Sequence, residues 1–337
     1  MKKVILYILL ALLIIGGGVI YYFYNAIYSP YTEKEYELFI EDTDTKESVL
    51  NELIDNGIIN EAGSFNTVSK LMSFNKLKPG RYIIPSGITA RQLISKLRAG
   101  QQDAVNLTFN NARLIEDLSG KLAKNIKLDS LELLEFMQTS NLVSEAGYDQ
   151  ETLMSLFIPN TYKVYYNISK EDLFKRLIKE NKKFWTEERK AKAEVLGLTP
   201  KEVYTLASIV DKESLKADEK NRIAGVYLNR LDRGIALEAD PTVVFALKQF
   251  DLRRILYKHL EYDSPYNTYK YPGLPPGPIG MSSISGIDAV LEKEDHEFIF
   301  FCAKPDGNGR HAFAKTLAGH NRNARKYQQW LNSRGIR

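Results

Sequence analysis

The chain has 337 residues, of which 44% are hydrophobic, so it can bury a sizeable core in two or more domains. Its 46 basic and 42 acidic residues leave a net charge of only +4, and no long basic tract stands out, which excludes a dedicated nucleic-acid binder. The single cysteine, Cys302, excludes an internal disulfide, and its place in "FIFFCAK" is that of a strand residue, not a nucleophile.

The chain opens with "MKKVILYILLALLIIGGGVIYYFY", in which nothing is charged between Lys3 and Glu33. An apolar run of about 20 residues is long enough to cross a bilayer and longer than a cleavable signal requires. Residues 4–24 are therefore expected to sit in lipid as an uncleaved anchor. Tyr21, Tyr22, Phe23 and Tyr24 form an aromatic belt, and Lys2 and Lys3 place the N-terminus in the cytoplasm. Everything after about Asn25 is then outside the cytoplasm, on a single-pass inner-membrane protein.

A linker with Pro30 closes the first segment, residues 1–30. "EYELFIED" alternates as a strand does, "TKESVLNELIDNGI" and "SFNTVSKLMSF" carry helical periods, "GRYII" is a short strand, and "TARQLISKLRAG" is a helix stopped by Gly100. Residues 31–104 thus predict a small β-α-α-β-α module. The rest, 105–337, predicts a mixed domain. Its first part, 105–150, is expected to be helical; then come a loop and strand at "LFIPNTYKVYYNIS", a long charged helical stretch from Ser169 to Gly197, and a strand at "HEFIFFCAK". The predicted class is α+β.

The chemistry concentrates near "LTPKEVYTLASIVDKES". Thr199 is the N-cap, Pro200 takes the first helical position and Glu202 completes a capping box. That register puts Val203, Leu206, Ala207, Val210 and Ser214 on one face. Glu213 then borders aliphatic Leu206, Ile209 and Val210, whereas Asp211 has Tyr204, Ala207 and Ser208 on a more polar flank, and Lys212 points away. A carboxyl among aliphatic side chains is desolvated and its pKa rises, as a general acid at neutral pH requires. Asp211 is expected to stay ionised. From the wheel alone, both acids also fit the wet end of an ordinary helix.

Further along stand "VYLNRLDRGIALEADPTVVFAL", "SPYNTYKYPGLPPGPI" and "DGNGRHAFAKTLAGHN". With "LASIVDKES" before them, these blocks resemble the YceG-like family of endolytic murein transglycosylases. The module around "LKPGRYIIPSGITARQLISKLRAG" is similar to that family's LysM-like subdomain. The resemblance covers the chain after the anchor, in order. It implies lytic cleavage of the β-1,4 bond between N-acetylmuramic acid and N-acetylglucosamine in nascent peptidoglycan strands, without a cofactor. It implies that Glu213 is the catalytic acid, as the second acid of the family's E-K-E-[TS] motif, with Asp211 at the first. It also implies work beside penicillin-binding proteins of the elongation machinery.

Around that acid, Asp211, Asp240, Tyr266, Asn267, Thr268, Tyr269, Pro276, His311 and Asn321 are the expected substrate-binding residues. Asp240 also fits a plain helix N-cap, and the proline-rich loop a structural corner. The four histidines have no metal-ligand spacing, and no metal is expected. Two other readings stay open: a hydrolytic muramidase with Asp211, Glu238 or Asp240 as second carboxylate, and a non-catalytic wall-binding scaffold.

Overall fold

The computed structural model describes residues 2–252 and 254–335. The chain forms two compact units. One comprises Met1–Asn106, Asn125–Lys127 and Lys163–Ile168; the other comprises Leu107–Lys124, Leu128–Tyr162 and Ser169–Arg337.

The first unit begins with α1 (Lys2–Tyr28), a helix with mean hydropathy 2.7 over its most apolar window. At 1.5 Å per residue it is about 40 Å long, enough to cross a bilayer. Its side chains from Val4 to Tyr24 are largely exposed, and only Ala26 is buried. There follow β1 (Tyr36–Ile40), α2 (Lys46–Asp55), α3 (Gly63–Leu71), β2 (Gly80–Ile84) and α4 (Ala90–Ala99). Strands β1 and β2 pair antiparallel, Tyr36 opposite Ile84 and Ile40 opposite Gly80. Thr45 and Thr89 cap α2 and α4 with full capping boxes, and Gly100 ends α4 in the left-handed conformation. Leu38, Ile40, Leu53, Phe65, Tyr82, Leu93 and Leu97 form the core between these elements.

The next elements are β3 (Val105–Phe109), α5 (Ile115–Ala123), α6 (Ser130–Thr139), α7 (Asn141–Glu145), a 3-10 turn at Leu153–Leu156 and β4 (Asn160–Val164). Strands β3 and β4 pair with each other. The strand β3 departs from the helical expectation for 105–150. "VNLTF" alternates buried and exposed residues, a period-2 pattern short enough to be overlooked beside the longer helices.

Beyond β4 come α8 (Lys170–Phe184), α9 (Glu187–Val195), α10 (Pro200–Glu213), α11 (Ala217–Asp232), α12 (Asp240–Leu247), α13 (Tyr257–Leu260) and α14 (Ile284–Leu291). The hairpin β5 (Phe300–Ala303) and β6 (His311–Ala314) and the long α15 (Leu317–Ser333) complete the unit. The charged run from Ser169 to Gly197 breaks into α8 and α9 at Trp185, and α8 buries a stripe of Leu173, Phe174, Leu177 and Ile178.

The second unit is built on α10. Every residue from Val203 to Val210 is buried, so the one-sided apolar stripe expected from its sequence is corrected: neighbours cover this helix all round. Its polar atoms are spent on fixing the loops that surround it. Tyr204 Oη donates to the Phe157 carbonyl (3.0 Å) and accepts from the Ser282 amide (3.2 Å), while Ser208 Oγ accepts from the Ile279 amide (3.0 Å).

Candidate active site

Glu213 is the last residue of α10. Ser214 caps the helix in an extended conformation (φ −141°, ψ 132°), which turns the chain toward α11 and leaves the Glu213 side chain at the helix end. Its Oε1 accepts a 2.8 Å hydrogen bond from Tyr227 Oη of α11. Tyr227 is buried, its ring packed edge-on against Phe301 at 5.8 Å. Among the described residues no side chain bonds to Oε2, so that oxygen is free for a ligand.

Burial pushes the Glu213 carboxyl from 4.5 up to about 7; the Tyr227 bond pulls the other way, and the negative charge of Asp240 adds to the rise. The negative end of the α10 dipole acts in the same upward direction. At neutral pH this carboxyl is therefore shared about evenly between acid and base forms. In physical terms it is a poised proton donor.

Asp240 opens α12 as its first residue, with Ala239 as N-cap, and accepts a 2.7 Å hydrogen bond from Tyr269 Oη. Burial and this bond to Asp240 hold the Tyr269 phenol well above its ordinary pKa. Glu213 and Asp240 line both of two neighbouring cavities. The smaller, about 310 Å³, is walled by Tyr227, Arg230, Glu238, Tyr269, Phe300 and His320. The wider, about 970 Å³, is walled by Arg113, Lys212, Phe245, Phe250, Arg254 and Tyr327 among others. Helix α15 borders both, with Leu317 and His320 on one and Tyr327, Gln328 and Leu331 on the other. Glu213 thus stands where the two cavities meet, at the junction of a two-armed groove.

Asp211 is corrected from the wet flank to a buried anchor. Its side chain is only 12% exposed and pairs with Lys220 at 2.6 Å. Oδ1 also accepts from Ser283 Oγ (2.9 Å), and Oδ2 accepts from the Ser283 amide (2.6 Å) and Ser282 Oγ (3.1 Å). Four hydrogen bonds occupy the carboxylate. Its helix wheel counts only neighbours on α10, whereas these partners come from α11 and the start of α14. Gly286 packs so closely here that a Cβ would stand 2.6 Å from the Asp211 oxygens.

Asn267 and Thr268, expected among the substrate-binding residues, are buried and brace the loop that carries them. The Asn267 amide donates to the Leu260 and Tyr262 carbonyls (2.8 Å each), and its Oδ1 accepts from the Tyr269 amide (3.1 Å). Thr268 Oγ1 accepts from the Ala239 amide (3.1 Å) and lies 2.9 Å from Thr242 Oγ1. A coil without regular pairing must satisfy its buried polar groups this way. The effect is to hold Tyr269 and the start of α12 together at the groove.

The other expected binding residues scatter. Tyr266 is half-buried with its ring 4.9 Å from Phe245, a residue of the wide arm. Pro276 is exposed on a separate cavity of about 570 Å³, with Thr152, Leu196, Lys201 and Leu231, that shares no residue with either arm. The loop beside it is tight, since a Cβ on Gly277 would stand 1.9 Å from the Glu151 carbonyl oxygen. His311 in β6 is fastened to buried Glu219, Nδ1 to Oε2 at 3.1 Å, and lines neither arm. Asn321 is exposed on α15, one residue past His320, and lines neither arm.

Sequence reasoning missed Tyr227, Arg230, Lys212 and Arg113 as groove residues. Tyr227 and Arg230 stand in the quoted block "VYLNRL", one helical turn apart on α11, but nothing local marks which residue they face. Arg230 is buried beneath the narrow arm, donating to the Ala236 (2.8 Å) and Ile299 (3.1 Å) carbonyls and pairing with Glu238.

Comparison with known proteins meets this geometry. The sequence profile of the YceG-like family matches residues 38–326. A Bacillus subtilis (strain 168) protein named endolytic murein transglycosylase is 28% identical over 289 residues, 81% of this chain and 79% of that one. A Streptococcus pneumoniae (strain R6) protein of the same name is 24% identical over 304 residues, 80% of this chain but 54% of that one. The crystal structure of a YceG-like protein from Listeria monocytogenes superposes with a TM-score of 0.57 at 26% identity, over 86% of this chain and 98% of that one. Sequence and fold agree, and the chain belongs to the YceG-like family.

Proposed function

We propose that this protein is an endolytic murein transglycosylase that cuts the β-1,4 bond between N-acetylmuramic acid and N-acetylglucosamine within nascent glycan strands. The observation that carries the reading is Glu213: a carboxyl with a pKa of about 7, held by Tyr227 at the junction of two groove arms. The names of the relatives support the same reaction.

Protonated Glu213 donates through Oε2 to the glycosidic oxygen as the bond to C1 breaks. The C6 hydroxyl of the same muramic acid then attacks C1, and the Glu213 carboxylate accepts its proton. One carboxyl serves as acid and then base, no water is consumed, and the new end is 1,6-anhydromuramic acid. Proton transfer from a positioned group of matched pKa contributes about 10²–10⁴-fold in rate.

The N-terminal helix holds the enzyme in the inner membrane by residues 4–24, with Lys2 and Lys3 on the cytoplasmic side and the groove outside. Residues 31–104 are a LysM-like module that steadies the glycan, and 105–337 are the catalytic domain. Penicillin-binding proteins as neighbours rest on the family resemblance alone.

Asp240 favours a second reading, a hydrolytic muramidase. It lines the same groove as Glu213, and hydrolytic glycosidases use two carboxyls across the scissile bond. Its product would carry a full water and a reducing end.

The full-length protein in detergent, incubated with uncrosslinked glycan strands, tests the assignment. Wild type should shorten the strands, while Glu213→Gln should sediment with them and leave them intact. Shortening by Glu213→Gln at the wild-type rate would remove Glu213 from the chemistry, and an inert wild type that still binds strands would make the protein a scaffold.

A further inference from the structure

We propose that the wide arm of the groove binds the carboxylates of the peptides that hang from the glycan, through Arg113, Lys212 and Arg254. This rests on the glycan-cutting reading above and names what else in the strand the enzyme grips.

The two arms that meet at Glu213 differ in kind. The wide one, about 970 Å³, has roughly three times the volume of the narrow one at about 310 Å³. It holds three cations, and among the described residues none of them pairs with a carboxylate of the protein. Several arginines elsewhere in the same unit are paired, Arg189 with Asp288, Arg222 with Glu294 and Arg310 with Asp218. In the narrow arm Arg230 is paired with Glu238.

One of these cations is also set in place. The Arg113 guanidinium lies over the Phe250 ring, 4.5 Å from its centre, which helps to fix the group without using its N–H donors. Partial desolvation and the nearby Arg113 charge loosen the Lys212 proton, while the neighbouring Asp211 carboxylate pulls the other way. Glu213 and Asp240 line the same arm, but among the described residues neither forms an ion pair with these cations; like charges gathered in this way repel, and an arriving anion relieves that cost. Val244, Leu252, Ile255 and Leu331 supply an apolar floor beside them.

An N-acetylated sugar backbone carries no charge, so the strand itself has nothing for three cations. The peptide on each muramic acid has free carboxylates joined by short aliphatic side chains, the combination this arm offers to receive. A lipid pyrophosphate at the growing end of a strand shares the chemistry of an anion beside an apolar chain, and the test separates the two.

The full-length protein is given matched uncrosslinked strands with intact peptides, with amidated peptide carboxylates, or with the peptides removed and the lactyl carboxylates this frees capped as amides. Wild type should show kcat/KM about tenfold or more higher on intact strands than on the other two, the size expected for charge-assisted bonds. Arg113→Gln combined with Arg254→Gln should bring that ratio close to one, and lysine at both positions should restore much of it. A wild type without preference, or a glutamine variant that keeps the full preference, overturns the proposal. So does a preference that follows the lipid pyrophosphate end when lipid-linked and released strands of equal peptide content are compared. Co-sedimentation of Glu213→Gln separates this from the reaction: tighter binding of intact than stripped strands is expected even if no strand is cut, and equal binding overturns the subsite.

Discussion

Replacing Glu213 by Gln should abolish cleavage and, at alkaline pH, make the protein more stable. The variant keeps an oxygen for Tyr227 and removes the ionisation. In the folded chain the carboxyl titrates at about 7 instead of 4.5. Moving from 4.5 to about 7, at about 1.4 kcal/mol per pH unit, makes its ionisation cost at most about 3.5 kcal/mol of stability. Glu213 is half-buried and keeps some water, which holds the cost at or below that figure. Because the folded pKa is raised, this stability is fully present below pH 4.5, declines as pH climbs, and is gone above about pH 7. Urea unfolding followed by tryptophan fluorescence reads it out. Both tryptophans, Trp185 and Trp330, belong to the second unit, so the signal reports the unit that carries Glu213. Wild type and variant should match near pH 4, and the variant should be more stable by up to about 3.5 kcal/mol at pH 8. A difference that does not change with pH would refute the claim of a desolvated carboxyl.

Other substitutions test the frame around it. Tyr227→Phe removes the bond that lowers the Glu213 pKa, so the alkaline limb of the kcat/KM profile should move up by roughly one unit, and kcat should fall about tenfold. An unmoved limb would mean that the phenol does not reach the carboxyl in solution. Asp211→Ala strands the Lys220 charge and should cost about 3–5 kcal/mol in urea unfolding, while adding Lys220→Met should recover part of it. If the double variant loses as much as the two singles summed, the pair is not coupled. Gly286→Ala forces a methyl against the Asp211 oxygens and should cost about 1–3 kcal/mol, less once Asp211 is alanine.

Local signals carried the parts of this fold that depend on neighbours in sequence. Thr199, Pro200 and Glu202 fix the start of α10, and counting from them places Glu213 beside Leu206, Ile209 and Val210. Gly100, Thr45 and Thr89 mark helix ends in the first unit in the same way. What was illegible depends on other elements. The flank of Asp211 looked polar because Ser282, Ser283 and Lys220, which bury it, lie outside α10. Asn267 and Thr268 looked like partners for a sugar, but the Asn267 amide donates to carbonyls of its own loop and Thr268 Oγ1 accepts from the Ala239 amide at the start of α12. Tyr227 meets Glu213 because two helices pack, and no spacing announces that.

The central claim is that one carboxyl suffices because the strand supplies its own nucleophile. Cleavage of uncrosslinked strands in water enriched in oxygen-18, with the product ends weighed, tests it most directly. The account predicts 1,6-anhydro ends, lighter by one water than reducing ends and without label, in wild type and in Asp240→Asn alike. Labelled reducing ends from wild type would contradict it, and would assign water activation to a second carboxylate such as Asp240.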